Sequence, residues 1–183
     1  MASTGRVGTG PGIARRGGTR AIALSALVLS IIIGVNVLSA QLGSAISQPY
    51  IQGWYAAAAK PAWTPPNEVF AGVWTVLYLA TSVAAWLVWR ERHRRRIDRA
   101  LTLYVVQLVL NALWSPLFFA LYPAIGVTAT WLSLTVHLLL LVAITTTIIE
   151  FWPIHRIAAL IMVPYLVWVV FAASLTVGIA VIN

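Results

Sequence analysis

The sequence predicts an all-α membrane protein, a bundle of five transmembrane helices. Three observations carry that expectation: an apolar fraction of 61%, a charged fraction of only 9%, and five separate apolar stretches of spanning length. Soluble domains carry about 45–50% apolar and about 25% charged residues. A chain so poor in charge cannot cover a water-facing surface, so its apolar residues must face lipid. Its 183 residues leave room for one bundle and no second one. Strands are excluded, because the stretches are too long and lack the period-two alternation of a membrane barrel.

The elements follow in order. Residues 1–20 are rich in Gly, Thr and Arg, with Arg6, Arg15, Arg16 and Arg20. They lack an apolar face and are expected to form a disordered basic tail ahead of one membrane domain over 21–183. The next run is too long for a signal-peptide core and is read as the first span, Ala21 to Ile46. The others run from Val69 to Trp89, Leu101 to Leu121, Ala124 to Ile149 and Ile157 to Ile182. About 20 apolar residues cross about 30 Å of hydrocarbon. Lys, Arg, Asp and Glu occur only at span edges.

The arginines give an orientation. The run from Arg90 to Arg99 joins spans two and three, and the positive-inside rule makes it cytoplasmic. The N-terminus is then cytoplasmic and the C-terminus external, with the 47–68 loop and the Tyr122-Pro123 turn outside. The Trp152–Arg156 turn falls inside, in agreement with Arg156. The net charge of +8 therefore reflects topology and attraction to anionic membrane lipid; nucleic acid is not an expected partner. The absence of cysteine excludes disulfides, thiolate metal sites and cysteine nucleophiles.

Several residues point to a site. Three prolines, Pro61, Pro65 and Pro66, stiffen the first loop. Trp54, Tyr55 and Trp63 there fit either an interfacial aromatic belt or a lid over a pocket. In span two, Trp74 and Tyr78 share a face. In span three, Gln107, Asn111, Trp114, Ser115 and Phe118 fall on one stripe. Amides in hydrocarbon must be satisfied, so this stripe faces inward, as interhelical glue or as the polar wall of a cavity. Pro116 and Pro164 each remove a helical hydrogen bond. Tyr165 and Trp168 of span five, with Trp74, Tyr78 and Trp114, fit either one aromatic chamber or ordinary helix packing. Spans one and four read as framework. His137 is the one intramembrane group that titrates near neutrality, and the choices are a functional role or a bond to a neighbouring hydroxyl. No second His, Asp or Glu in the spans completes a metal site, and no Ser–His–Asp set is present.

At these residues the chain resembles the translocator protein or tryptophan-rich sensory protein family (TspO/MBR, the peripheral-type benzodiazepine receptors). The family pattern stands here as Trp54-Tyr55, Lys60-Pro61, Trp63, Pro65-Pro66, Phe70, Trp74-Thr75 and Leu77-Tyr78. A second block runs from Gln107 to Ser115 with Phe118-Phe119, and a third from Pro164 to Ala172. The resemblance implies a five-helix bundle, usually a homodimer, with a pocket for porphyrin or haem below the first loop. Carried over by residue, Trp74, Tyr78, Asn111, Trp114 and Trp168 line that pocket, with Trp63 above it; Tyr165 joins them on the spacing argument. No cofactor is required and no metal site is implied; the porphyrin is a ligand.

The resemblance implies sensing, sequestration or transport of porphyrins in a bacterial cytoplasmic membrane. Its alternative is light-dependent protoporphyrin IX breakdown, with Trp74 and Trp168 as the reacting residues. Two positions depart from the family. Leu175-Thr176 stands where Leu-Asn is frequent, and residues 178–183 lack the Tyr and the basic residue of the proposed cholesterol motif.

Overall fold

The computed structural model describes the backbone from Pro11 to Asn183 and side chains from Arg20 onward. Every regular element among these residues is helical. Five long helices form the bundle: α1 (Pro11–Gln52), α3 (Asn67–Arg90), α4 (Asp98–Phe119), α6 (Val127–Phe151) and α7 (Arg156–Ile182). Two short helices, α2 (Trp54–Ala57) and α5 (Tyr122–Ile125), sit in the connections at one end. The long helices are apolar and long enough to cross a bilayer, and the protein is an integral membrane protein.

Three boundaries differ from expectation. The first span was expected to end at Ile46, but α1 runs through Pro49 to Gln52. Pro49 lacks an N–H and leaves the Ala45 carbonyl without its helical partner. The helix then closes with Gly53 N donating to Pro49 O at 3.1 Å. The tail expected over residues 1–20 lies outside the described residues through residue 10, and the helix is continuous from Pro11. Extending an existing helix costs far less than nucleating one. The fourth span begins at Val127, not Ala124, because α5 intervenes and the chain turns at Gly126 with φ of 61°. That left-handed backbone is one glycine adopts without steric cost.

The helices close a ring in the order α1, α3, α7, α6, α4. Lipid offers helices no hydrophobic drive to associate, so close packing and interhelical hydrogen bonds hold them. Ala84, Ala85, Ala100, Ala129, Ala158 and Ala159 are all fully buried, and their small side chains let neighbouring backbones approach. Asn36 of α1 donates to the Tyr104 hydroxyl of α4 at 2.9 Å. Tyr165 of α7 donates to Gln107 Oε1 of α4 at 2.8 Å, both side chains being buried. His137 Nε2 of α6 meets the Val169 carbonyl of α7 at 3.0 Å. That partner is a backbone carbonyl, not the hydroxyl considered from the sequence. A carbonyl only accepts, so Nε2 carries the proton.

The Tyr165–Gln107 bond yields a prediction. Tyr165→Phe leaves a buried amide oxygen unpaired. It is expected to destabilise the bundle by about 1–2 kcal/mol, read as an earlier transition in a detergent denaturation series. An unchanged transition would mean that Gln107 finds another partner.

The two ends of the bundle differ. At the arginine end, Arg92 lies over the Trp89 ring at 3.5 Å and Arg90 over Trp86 at 4.9 Å. Arg99 Nε pairs with Glu150 Oε1 at 3.1 Å. On the same end His155 caps α7, its Nδ1 accepting from Ala158 N at 3.2 Å. The opposite, loop end carries α2, the proline-rich segment 58–66 and α5.

A candidate ligand-binding cavity

Helix α1 joins different neighbours at its two ends. Toward the arginine end it holds α3, where Trp86 Nε1 donates to Ser25 O at 3.0 Å and lies 3.1 Å from Ser25 Oγ. Toward the loop end it holds α4, where the hydroxyls of Ser47 and Ser115 meet at 2.7 Å. Gly43 supports this approach: a Cβ there would lie 3.9 Å from that of Ser115. In the loop-end half a cavity of about 520 Å³ therefore lies between α1, α3, α4 and α7.

Two aromatic pairs stand in its walls. Trp74 and Tyr78 of α3 stack at 5.3 Å with 29° between planes. Trp114 and Phe118 of α4 stack at 5.6 Å and 21°. Asn111 Nδ2 donates to the Tyr78 hydroxyl at 3.0 Å, which ties the two walls together. Tyr55 of α2 also lines the cavity at the loop end and packs edge-on against Phe118 and Phe119. Burial holds its phenol above the ordinary tyrosine range, so it stays protonated. Helix α2 is pinned by Trp54, which donates from Nε1 to Phe119 O at 2.8 Å and stacks on Tyr122 at 3.7 Å.

Of the residues chosen from sequence, Trp74, Tyr78, Asn111 and Trp114 line this cavity. The other three do not. Tyr165 is buried behind Trp74, 6.2 Å away and edge-on, with its hydroxyl taken by Gln107. Three residues further, a side chain is offset by about 60° around the helix. That offset is enough to set Trp168 against the other flank of α3, where Phe70 packs on it at 5.4 Å. There it lines a separate apolar groove with Val73, Leu77, Val167 and Phe171. Trp63 is 55% exposed on the first loop. The five aromatics therefore do not share one chamber.

The framework reading of the first span is corrected too. Helix α1 supplies a whole wall, including Ser44, Gln48 and Gln52. The signal was present in their spacing of four, but the surrounding apolar run masked it. His137 is 2% exposed and sits edge-on to the Trp114 ring at 5.2 Å, behind the wall. Thr176 is in the wall, but its hydroxyl donates to Ala172 O at 3.2 Å, so only its lone pairs face a ligand.

The loop above is clamped to α7. Asn183 and Ala59 exchange two hydrogen bonds, Ala59 N to Asn183 Oδ1 at 3.0 Å and Asn183 Nδ2 to Ala59 O at 2.9 Å. Pro61 is buried against Gly178, where any Cβ would overlap its ring. Both flanks of this loop, Tyr55 and Asn67, line the cavity. Between the interfacial-belt and lid readings of the first loop, this geometry favours the lid.

Among the described residues, no Lys, Arg, His, Asp or Glu stands in the cavity wall. Among the described residues no cluster of His, Asp or Glu has the geometry to hold a metal. The wall offers stacking faces and neutral hydrogen-bonding groups.

The profile of the TspO/MBR family matches residues 26–182. A tryptophan-rich protein TspO of Archaeoglobus fulgidus is 34% identical over 141 residues, 77% of this chain and 87% of the relative. The human translocator protein is 33% identical over 144 residues, 75% and 82% of the two chains. A tryptophan-rich sensory protein of Cereibacter sphaeroides is 34% identical over 122 residues, 67% and 72%.

Proposed function

The chain belongs to the TspO/MBR family, and we propose that it is a tetrapyrrole-binding membrane protein that senses, sequesters or passes on porphyrins. The observation that carries this reading is the pair of aromatic stacks, Trp74–Tyr78 and Trp114–Phe118, in the walls of one uncharged cavity. Ligand sites run to about 300–1,000 Å³ and pair apolar walls with a few polar groups. A cavity of about 520 Å³ with an Asn111–Tyr78 link suits a flat aromatic ligand. With the arginine end taken as cytoplasmic by the positive-inside rule, the cavity faces the external leaflet, and a bacterial cytoplasmic membrane is the expected location. The expected homodimer uses small residues such as Gly34, beside which there is open space; crosslinking in native membranes tests it.

Protoporphyrin IX is expected to quench the tryptophan fluorescence of the purified protein saturably, and Trp114→Ala is expected to weaken binding about five- to tenfold through lost stacking. Absence of saturable quenching would contradict the reading. The photochemical alternative draws support from Trp74, an indole in the wall; Trp168 lies outside it. Under illumination that alternative requires a new porphyrin product whose formation is lost in Trp74→Phe.

A further inference from the structure

Among the described residues the cavity has polar groups but no charged ones, and their placement is uneven. Ser44, Gln48 and Gln52 of α1 are four residues apart and form one stripe. Asn67 and Thr75 of α3 also line the cavity. All five are exposed. Deeper in, the amide and hydroxyls each hold one hydrogen bond within the protein: Asn111 Nδ2 to Tyr78, Ser115 with Ser47, Thr176 to Ala172. The cavity is therefore graded: side-chain hydrogen bonds link polar groups at its base, and the exposed amides of Gln48, Gln52 and Asn67 at its mouth make no side-chain hydrogen bond among the described residues. Lys60, the cation on the adjoining loop, donates to Ala56 O and Ala58 O at 3.2 Å and lies over the Tyr55 ring. It is not part of the wall.

An ionised carboxylate drawn into a low-dielectric site without a partner costs several kcal/mol. Among the described residues, none along this wall offers a ligand carboxylate a counter-charge. An amide N–H, by contrast, donates to a carboxylate oxygen or to an ester carbonyl alike.

Building on the porphyrin reading, we propose that the cavity takes an amphiphilic macrocycle edge-first, its apolar edge against Trp74, Tyr78 and Trp114. The amides of Gln48, Gln52 and Asn67 then receive the polar edge at the mouth through uncharged hydrogen bonds. The ligand class is set by shape and by one hydrogen-bonding edge, not by charge. Free acids and neutral esters of the same macrocycle are both ligands.

The test compares protoporphyrin IX with its dimethyl ester by fluorescence titration of the whole protein in nanodiscs of neutral lipid, at low and high salt. The two dissociation constants are expected to agree within about fivefold, and to move less than about twofold with salt. The double variant Gln48→Leu/Gln52→Leu is expected to weaken both ligands about tenfold while helical content is unchanged. Both side chains are exposed, so the fold does not depend on them. An ester that binds tenfold or more weakly than the acid, or acid binding that falls steeply with salt, overturns the proposal and leaves the porphyrin reading standing. Undiminished binding of both ligands by the double variant does the same. Failure of the unsubstituted protein to bind either ligand removes the porphyrin reading itself.

Discussion

Replacing Ala71 by tryptophan is expected to abolish most of the proposed porphyrin binding while the bundle stays folded. Ala71 lines the cavity on α3, one turn from Asn67 and three residues from Trp74. It is exposed, so an indole there enters open space and displaces no buried neighbour. Filling a site intended for a flat ring forces ligand and wall apart, and overpacking of this kind costs about 1–3 kcal/mol. The expected loss of affinity is roughly ten- to hundredfold, read by fluorescence or absorbance titration. The matched control is Val167→Trp, which adds the same bulk to the groove beside Trp168. That variant is expected to bind normally. Reversal of the two results would move the site to the α3–α7 groove.

The second large effect concerns the loop. Gly178 lies inside α7, where glycine costs about 1 kcal/mol relative to alanine. The contact with Pro61 accounts for it: a Cβ at 178 would overlap the proline ring and come within 3.5 Å of Trp63. A proline ring is fixed to its backbone and cannot swing aside. Gly178→Leu therefore has to lift the loop from the end of α7, against the Asn183–Ala59 hydrogen bonds. Because Tyr55 and Asn67 flank the loop and line the cavity, the loss is transmitted to the ligand. Porphyrin is expected to dissociate at least about tenfold faster, with Gly178→Ala intermediate. Stopped-flow displacement measures it. Unchanged dissociation from Gly178→Leu would mean that the loop does not retain the ligand.

The sequence made the five spans legible because each is a long apolar run with charges only at its ends. It was also informative where one helix carried the whole pattern. Trp74 and Tyr78, and likewise Asn111 and Trp114, share faces by spacing alone, and all four reach the cavity. What spacing cannot give is how one helix is rotated against another. Tyr165 and Trp168 belong to one motif, yet one is claimed by Gln107 and the other turns to a different groove. The Pro61–Gly178 contact joins distant parts of the chain, and no local pattern announces it. The wall from α1 was hidden for a different reason. Ser44, Gln48 and Gln52 lie four apart in and beyond the end of an apolar run that read as framework, and only the cavity shows their common face.

The measurement that bears most directly on the account is an experimental structure of the protein in lipid with protoporphyrin IX bound. The macrocycle is predicted between α1 and α3, its apolar edge against Trp74, Tyr78 and Trp114 and its carboxyl edge beside Gln48 and Gln52. A macrocycle seated instead in the groove lined by Trp168, Val167 and Phe171, with the α1 wall empty, would contradict it.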